Sequence, residues 1–164
     1  MASAGTTPAL PFKLRLLLVR HGTSARDSLT RRGVAEARVV ANVLKHQEIV
    51  AVIASPARRA QQTASIIAQE LRPPVVVEEE AAFRVNQLES VEHAKFRALA
   101  AIQLLTRRYT GKTVVIVTHF DICAALLRLA AGDPKAAPCP RAPSISEIAA
   151  LPDGVLELVK LPPP

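Results

Sequence analysis

Aromatic residues are nearly absent from this sequence: no tryptophan, one tyrosine and four phenylalanines in 164 residues. A platform for unpaired bases is built from stacked rings, so single-strand nucleic-acid binding is disfavoured in spite of a net charge of +7. The positive charge is spread along the chain rather than blocked, which suits the handling of small anions better than a polyanion track. Apolar runs such as Leu14 to Val19 are strand-sized, and none can span a bilayer. Cysteine is scarce. Cys123 and Cys139 share no metal-ligand spacing, so reduced thiols are expected instead of a disulfide framework or a zinc site. The first dozen residues have no apolar core of the signal-peptide kind. They read as a disordered tail, and cytoplasmic location is the resulting expectation. A Walker loop, a dinucleotide glycine fingerprint and a zinc-binding histidine pair are also lacking.

What is present is an alternation of strand and helix signals carried by alanine, valine and leucine. Leu14–Arg20 reads as a buried strand running into Arg-His-Gly. Thr30 can cap a helix whose buried face is Val34, Ala37, Ala41 and Leu44. Ile49–Ala54 is a second strand. Ser55-Pro56 is expected to start the next helix, with Ser55 at the cap and Pro56 at the first helical position; Ala60, Ala64, Ile67 and Leu71 face inward. A short third strand is expected at Val75–Val77, ahead of Glu78, Glu79 and Glu80. Ser90 caps a long helix with Val91, Ala94, Ala98, Ile102 and Leu105 on one side. Thr113–Val117 is the fourth strand, followed by an apolar helix from Asp121 to Ala131 that stops at Gly132. Ile145–Leu151 and Val155–Leu161 flank Pro152-Asp153-Gly154 and read as a closing hairpin. Four strand–helix repeats imply a three-layer α/β/α sandwich, with a mainly parallel sheet and a C-terminal antiparallel hairpin.

Ligands of open α/β sheets bind beyond the carboxyl ends of the strands. The first strand ends in Arg20-His21-Gly22, the second in Ser55-Pro56 with Arg59 in the next turn, the third in the three glutamates, and the fourth in Thr118-His119. His46 and His93 fall elsewhere, on surfaces. Two arginines and two imidazoles suit a dianionic tetrahedral group, because forked guanidinium donors match phosphate oxygens. A neutral imidazole held in one tautomer is a competent nucleophile, and Gly22 allows a tight turn that brings a carbonyl near the His21 ring.

These residues resemble a known family. Leu17-Leu18-Val19-Arg20-His21-Gly22 is similar to the signature of the histidine phosphatase superfamily, in its phosphoglycerate-mutase-like branch. The likeness continues in order through Leu29-Thr30 with Gly33, Glu36 and Ala37, through Ser55-Pro56-Ala57-Arg58-Arg59-Ala60-Gln61-Gln62-Thr63-Ala64, through Glu89-Ser90-Val91-Glu92 with Arg97, and through Val115–His119 to Ser144–Glu147. It covers roughly residues 14–160, so one such domain is expected over 13–161, between tails at 1–12 and 162–164. The resemblance implies that His21 attacks phosphorus and becomes phosphorylated. It implies that Arg20, Arg59, His119 and Ser24 hold the phosphoryl oxygens, and that no metal or other cofactor takes part. The implied substrate is a phosphorylated small molecule or phosphoprotein, with neither nucleic acid nor membrane as partner.

The chain departs from the family pattern after its third strand. The Gly- and Trp-containing stretch that follows the family's acidic residue is missing, and that residue's place falls on or near Phe83. Glu80 is the nearest upstream candidate for the proton donor; Glu78, Glu79 and Glu89 compete with it, or the acid is absent. Asp27 stands where mutase-type sequences often carry Asn, so its carboxylate is expected to point away from phosphate or to select against a second one. Thr23 replaces a frequent Glu or Gln. With no long insertions, hydrolysis is expected in preference to phosphoryl exchange; a mutase-like phosphotransferase and a phosphoryl-binding protein without turnover are the alternatives.

Overall fold

The computed structural model describes residues 13–135, 141 and 143–160. The expected tails at 1–12 and 162–164 lie outside these residues, as does Cys139. Strand β1 (Leu14–Arg20) is central. It pairs in parallel with β6 (Thr113–Thr118), which pairs in parallel with β4 (Ile49–Ala54), which carries β5 (Val77–Glu79) at the edge. On its other side β1 pairs antiparallel with β7 (Ile145–Ala150), and β8 (Leu156–Lys160) closes the hairpin across the Gly154 turn. The six-stranded order is β5-β4-β6-β1-β7-β8. This is the expected sandwich, with the first and fourth sequence strands, the two that end in histidine, side by side at its centre.

The period-2 alternation of the strands divides the core in two. Leu17, Val19, Val52, Ala54, Val115 and Val117 face helices α1 (Arg31–Leu44) and α2 (Arg58–Glu70). Leu16, Leu18, Ile53, Val114 and Ile116 face α3 (Val91–Arg108) and α4 (Phe120–Ala131). Thr30 and Ser90 cap α1 and α3 by accepting the Gly33 and His93 amides, and Gly132 ends α4 in the left-handed conformation at φ 65°. No helix among the described residues is long and apolar enough to cross a membrane.

Four details differ from the sequence reading. Helix α2 begins at Arg58, with Ala57 at its cap position and no side-chain cap of its own, so Ser55 is free for another task. Strand β5 lies two residues later than expected. Pro73 and Pro74 have no N–H to give a ladder, whereas Glu78 can leave the sheet on the α3 side to meet Arg108 and Tyr109. Val91 at the start of α3 is 57% exposed, and close packing begins only at Ala98. No periodic signal marks the two-residue hairpin of β2 (Ser24–Ala25) with β3 (Ser28–Leu29), or the 3₁₀ turn at Ala81–Phe83. Both are too short to show a period.

The loop after His21 touches the start of α1 backbone to backbone. A methyl group on Gly22 would come within 2.5 Å of the Gly33 carbonyl oxygen, and one on Gly33 would overlap the Thr23 carbonyl. Backbone cannot rotate aside as a side chain does. Gly33→Ala should therefore cost about 1–3 kcal/mol, as overpacking of a rigid site does. Urea unfolding checks this, and an unchanged midpoint would contradict the packing described.

Candidate active site

His21 follows the last residue of β1, and His119 follows the last residue of β6. Because these strands pair in register, Arg20 opposite Thr118, the two rings are brought edge to face with centroids 5.2 Å apart. His21 Nδ1 lies 2.8 Å from the carbonyl oxygen of Gly22. Arg59 Nε donates to His21 Nε2 at 3.1 Å. An arginine nitrogen can only donate, so Nε2 carries a lone pair and the proton sits on Nδ1. Arg59 Nη2 is 3.3 Å from His119 Nδ1, and His119 Nε2 is 2.7 Å from Ser55 Oγ. By the same argument His119 is protonated on Nε2 and donates to Ser55.

The third Arg59 nitrogen, Nη1, donates to Asp27 at 2.8 Å. Asp27 also accepts the backbone amides of Arg58 and Arg59 at 3.2 and 3.5 Å, which supplies the cap that α2 lacks. Of the two expectations for Asp27, pointing away from the site or selecting against a second phosphate, the first does not hold: its carboxylate bonds Arg59. The first uncapped turn of α2 was the usable signal for this, and placing the helix start at Pro56 concealed it. Thr63 adds a second tie. Its hydroxyl donates to the Arg59 carbonyl at 2.9 Å and accepts the Gly22 amide at 3.1 Å. Glu36 holds the same loop from α1, accepting the Thr23 amide and hydroxyl at 2.7 and 2.9 Å.

Burial lowers the His21 pKa below its usual value; the Gly22 carbonyl opposes that, Arg59 and Arg20 lower it further, and Asp27 raises it. His119 is pushed down to about 3 by burial, then by Arg59 and His21. Both rings are therefore neutral at pH 7. Arg20 lies with its guanidinium carbon 5.2 Å from the half-exposed Phe120 ring.

The structure thus brings His21, Arg59 and His119 into one bonded group, with Arg20 beside it. Ser24 lies in β2, paired with Leu29, and the bonds to the two histidine rings come from Gly22, Arg59 and Ser55 instead. Glu80 accepts the Ala82 amide at 2.9 Å and so caps the 3₁₀ turn; it bonds neither ring. Glu78 is taken by Arg108 and Tyr109 at 2.9 and 2.8 Å. Glu89 is taken by both ends of the Arg97 guanidinium, whose bonds hold its carboxyl below the usual range. Glu79 is exposed. Phe83, at the place of the family's acid, is fully buried, and its carbonyl accepts the Thr118 hydroxyl at 2.7 Å. Among the described residues no group of three His, Cys, Asp or Glu side chains is arranged to hold a metal ion.

The strand order and the paired histidines at the carboxyl edge define a phosphoglycerate-mutase-like α/β fold. Residues 16–82 and 78–146 match the histidine phosphatase superfamily, branch 1, and the chain belongs to that family. The two matched segments overlap at residues 78–82. Solved structures agree on the fold. Bacillus stearothermophilus YhfR superimposes with a TM-score of 0.77 at 20% identity, covering 89% of this chain and 95% of that one. The protein histidine phosphatase SixA, complexed with tungstate, gives 0.71 at 24% identity over 89% and 94%. Phosphoglycerate mutase from Bacillus anthracis gives 0.78 at 16% identity over 93% and 94%. No curated protein matches the chain.

Two outcomes follow from this geometry. Asp27→Ala removes a charge-assisted bond of about 1.5–3 kcal/mol and leaves Arg59 free to swing. Orthovanadate affinity, read by calorimetry, should fall about 10–100-fold, whereas Asp27→Asn, which can still accept from Arg59, should lose less. Equal losses would show that charge matters and position does not. The second outcome concerns pH. Depressed histidines are neutral when folded and protonate first when unfolded, so stability is complete above pH 6.5 and is lost as pH falls toward about 3. Urea unfolding should show a decline already between pH 6.5 and 5, above the carboxylate range, and His119→Gln should reduce that decline.

Proposed function

We propose that this protein is a metal-independent phosphatase that hydrolyses phosphomonoesters, or phosphohistidine and phosphoprotein substrates, through a phosphohistidine intermediate on His21. The observation that carries this reading is the His21 ring itself. Its Nδ1–H is fixed on the Gly22 carbonyl, and its Nε2 lone pair faces the Arg59 guanidinium. A phosphoryl group admitted there takes the Arg59 donors in place of the imidazole lone pairs, and Nε2 is left facing phosphorus. As the Nε2–P bond forms, the bond to the leaving oxygen breaks. The equatorial oxygens gather charge that Arg20 and Arg59 offset, while His119, neutral and with its N–H on Ser55, holds Arg59 in place. Water then attacks phosphorus and the electron pair returns to Nε2.

The family supports phosphoryl-transfer chemistry in general, and phosphatases and a mutase are both among the structural neighbours. Hydrolysis is favoured here because Asp27 places a carboxylate beside Arg59, where a bisphosphate intermediate would crowd like charge. A second reading draws on the engagement of Glu78, Glu80 and Glu89 with other partners: a pocket that holds a phosphoryl ligand without turning it over.

Hydrolysis of p-nitrophenyl phosphate in EDTA separates the two. Wild-type protein should turn over, His21→Ala should fall to background, and 3-phosphoglycerate should not be converted to 2-phosphoglycerate. Turnover abolished by EDTA would contradict the metal-free route. Phosphate binding without any turnover would establish the second reading.

A further inference from the structure

An alkyl phosphate leaves as an alkoxide and needs a proton from a positioned acid. At this edge of the sheet the carboxylates are Asp27, Glu36, Glu78, Glu79, Glu80, Glu89 and Asp121. Five of them already have partners: Asp27 has Arg59, Glu36 has Thr23 and Arg32, Glu78 has Arg108, Glu80 has the Ala82 amide and Glu89 has Arg97. Glu79 is on the edge strand in register with Ala54, a residue of the α1–α2 side of the core, on the face opposite α4. Asp121 differs from all of these. It is exposed in the first turn of α4, two residues after His119, and among the described residues it is neither hydrogen-bonded nor ion-paired. Phe120 next to it packs on Arg20. Asp121 also lines a cleft with Val85, Glu89, Val91, Ala94 and Ile122. The far wall of that cleft is the 84–91 segment, which follows the place where the family resemblance puts the acid. The cleft is thus bordered on one side by the segment that follows the missing stretch and on the other by a carboxyl from α4, the helix that starts directly after His119.

We infer that Asp121 is the proton donor to the leaving oxygen, in place of a glutamate from the shortened segment; this rests on the His21 reading above. As the Nε2–P bond forms and the P–O bond breaks, the leaving oxygen keeps the electron pair and takes the Asp121 proton. In the second step the attacking water gives a proton to the Asp121 carboxylate, its oxygen bonds phosphorus, and the N–P bond breaks toward Nε2.

The test is leaving-group dependence. Wild type, Asp121→Asn, Asp121→Ser, Glu80→Gln and His21→Ala are compared on glycerol 2-phosphate, whose alkoxide needs the proton, and on 2,4-dinitrophenyl phosphate, whose phenolate does not. Both Asp121 variants should lose about 100-fold or more in kcat/KM on the alkyl ester and change little on the aryl ester, while Glu80→Gln stays near wild type on both. Equal effects of the Asp121 variants on the two esters, or an alkyl-selective loss confined to Glu80→Gln, would overturn the assignment. An inactive His21→Ala beside an Asp121→Asn that is fully active on glycerol 2-phosphate would remove this inference alone. Wild-type protein inactive on both esters, or His21→Ala as active as wild type, would remove the His21 reading and this inference with it.

Discussion

Arg59 commits each of its three nitrogens to a different group: Nε to His21, Nη1 to Asp27 and Nη2 to His119. The rest of the carboxyl edge depends on that grip. Asp27 can hold Arg59 because it is itself held by the first amides of α2. His21 can present one tautomer because the Gly22 carbonyl takes its other nitrogen. The loop can lie there because Gly22 has no side chain to strike the Gly33 carbonyl and Gly33 has none to strike Thr23. The Thr63 hydroxyl joins both halves by bonding the Gly22 amide and the Arg59 carbonyl. A planar fork with fixed donors makes this possible; a lysine point charge could not meet three acceptors at set angles.

The electrostatic consequence is a cationic pocket that keeps its imidazoles neutral. Burial and the neighbouring arginines both disfavour imidazolium. A neutral His21 has a lone pair to give, and the arginines that suppress its protonation are the groups that would meet the phosphoryl oxygens. On the proposed function, one arrangement therefore prepares the nucleophile and the anion site together. Asp27 moderates it, since its charge raises both histidine pKa values and offsets part of the positive field.

Much of this was legible in the sequence. The strand ends at Arg20-His21-Gly22 and Thr118-His119 were visible as apolar runs stopping at polar residues, and strand alternation put them on one edge. Even the Gly22 carbonyl beside the His21 ring could be anticipated from the tight turn. What escaped was set by contacts far apart in sequence. Ser55 looked like a helix cap by local chemistry, but its hydroxyl meets His119, 64 residues away. Asp27 looked repulsive beside a phosphate, because its attraction to Arg59 exists only once β2–β3 folds against α2. The glutamates after β5 showed candidates without partners, and Arg97, Arg108 and the Ala82 amide, which engage three of them, come from other turns and helices.

The central claim is that His21 is a neutral imidazole with its proton on Nδ1 and its lone pair on Nε2. Long-range proton–nitrogen correlation spectra of ¹⁵N-histidine-labelled protein at pH 7 read this state directly, with His21→Gln to assign the signals. The account predicts a protonated Nδ1 and an unprotonated Nε2 for His21, with the opposite tautomer for His119. An imidazolium at His21, or its proton on Nε2, would contradict it, because no lone pair would then face the phosphoryl group.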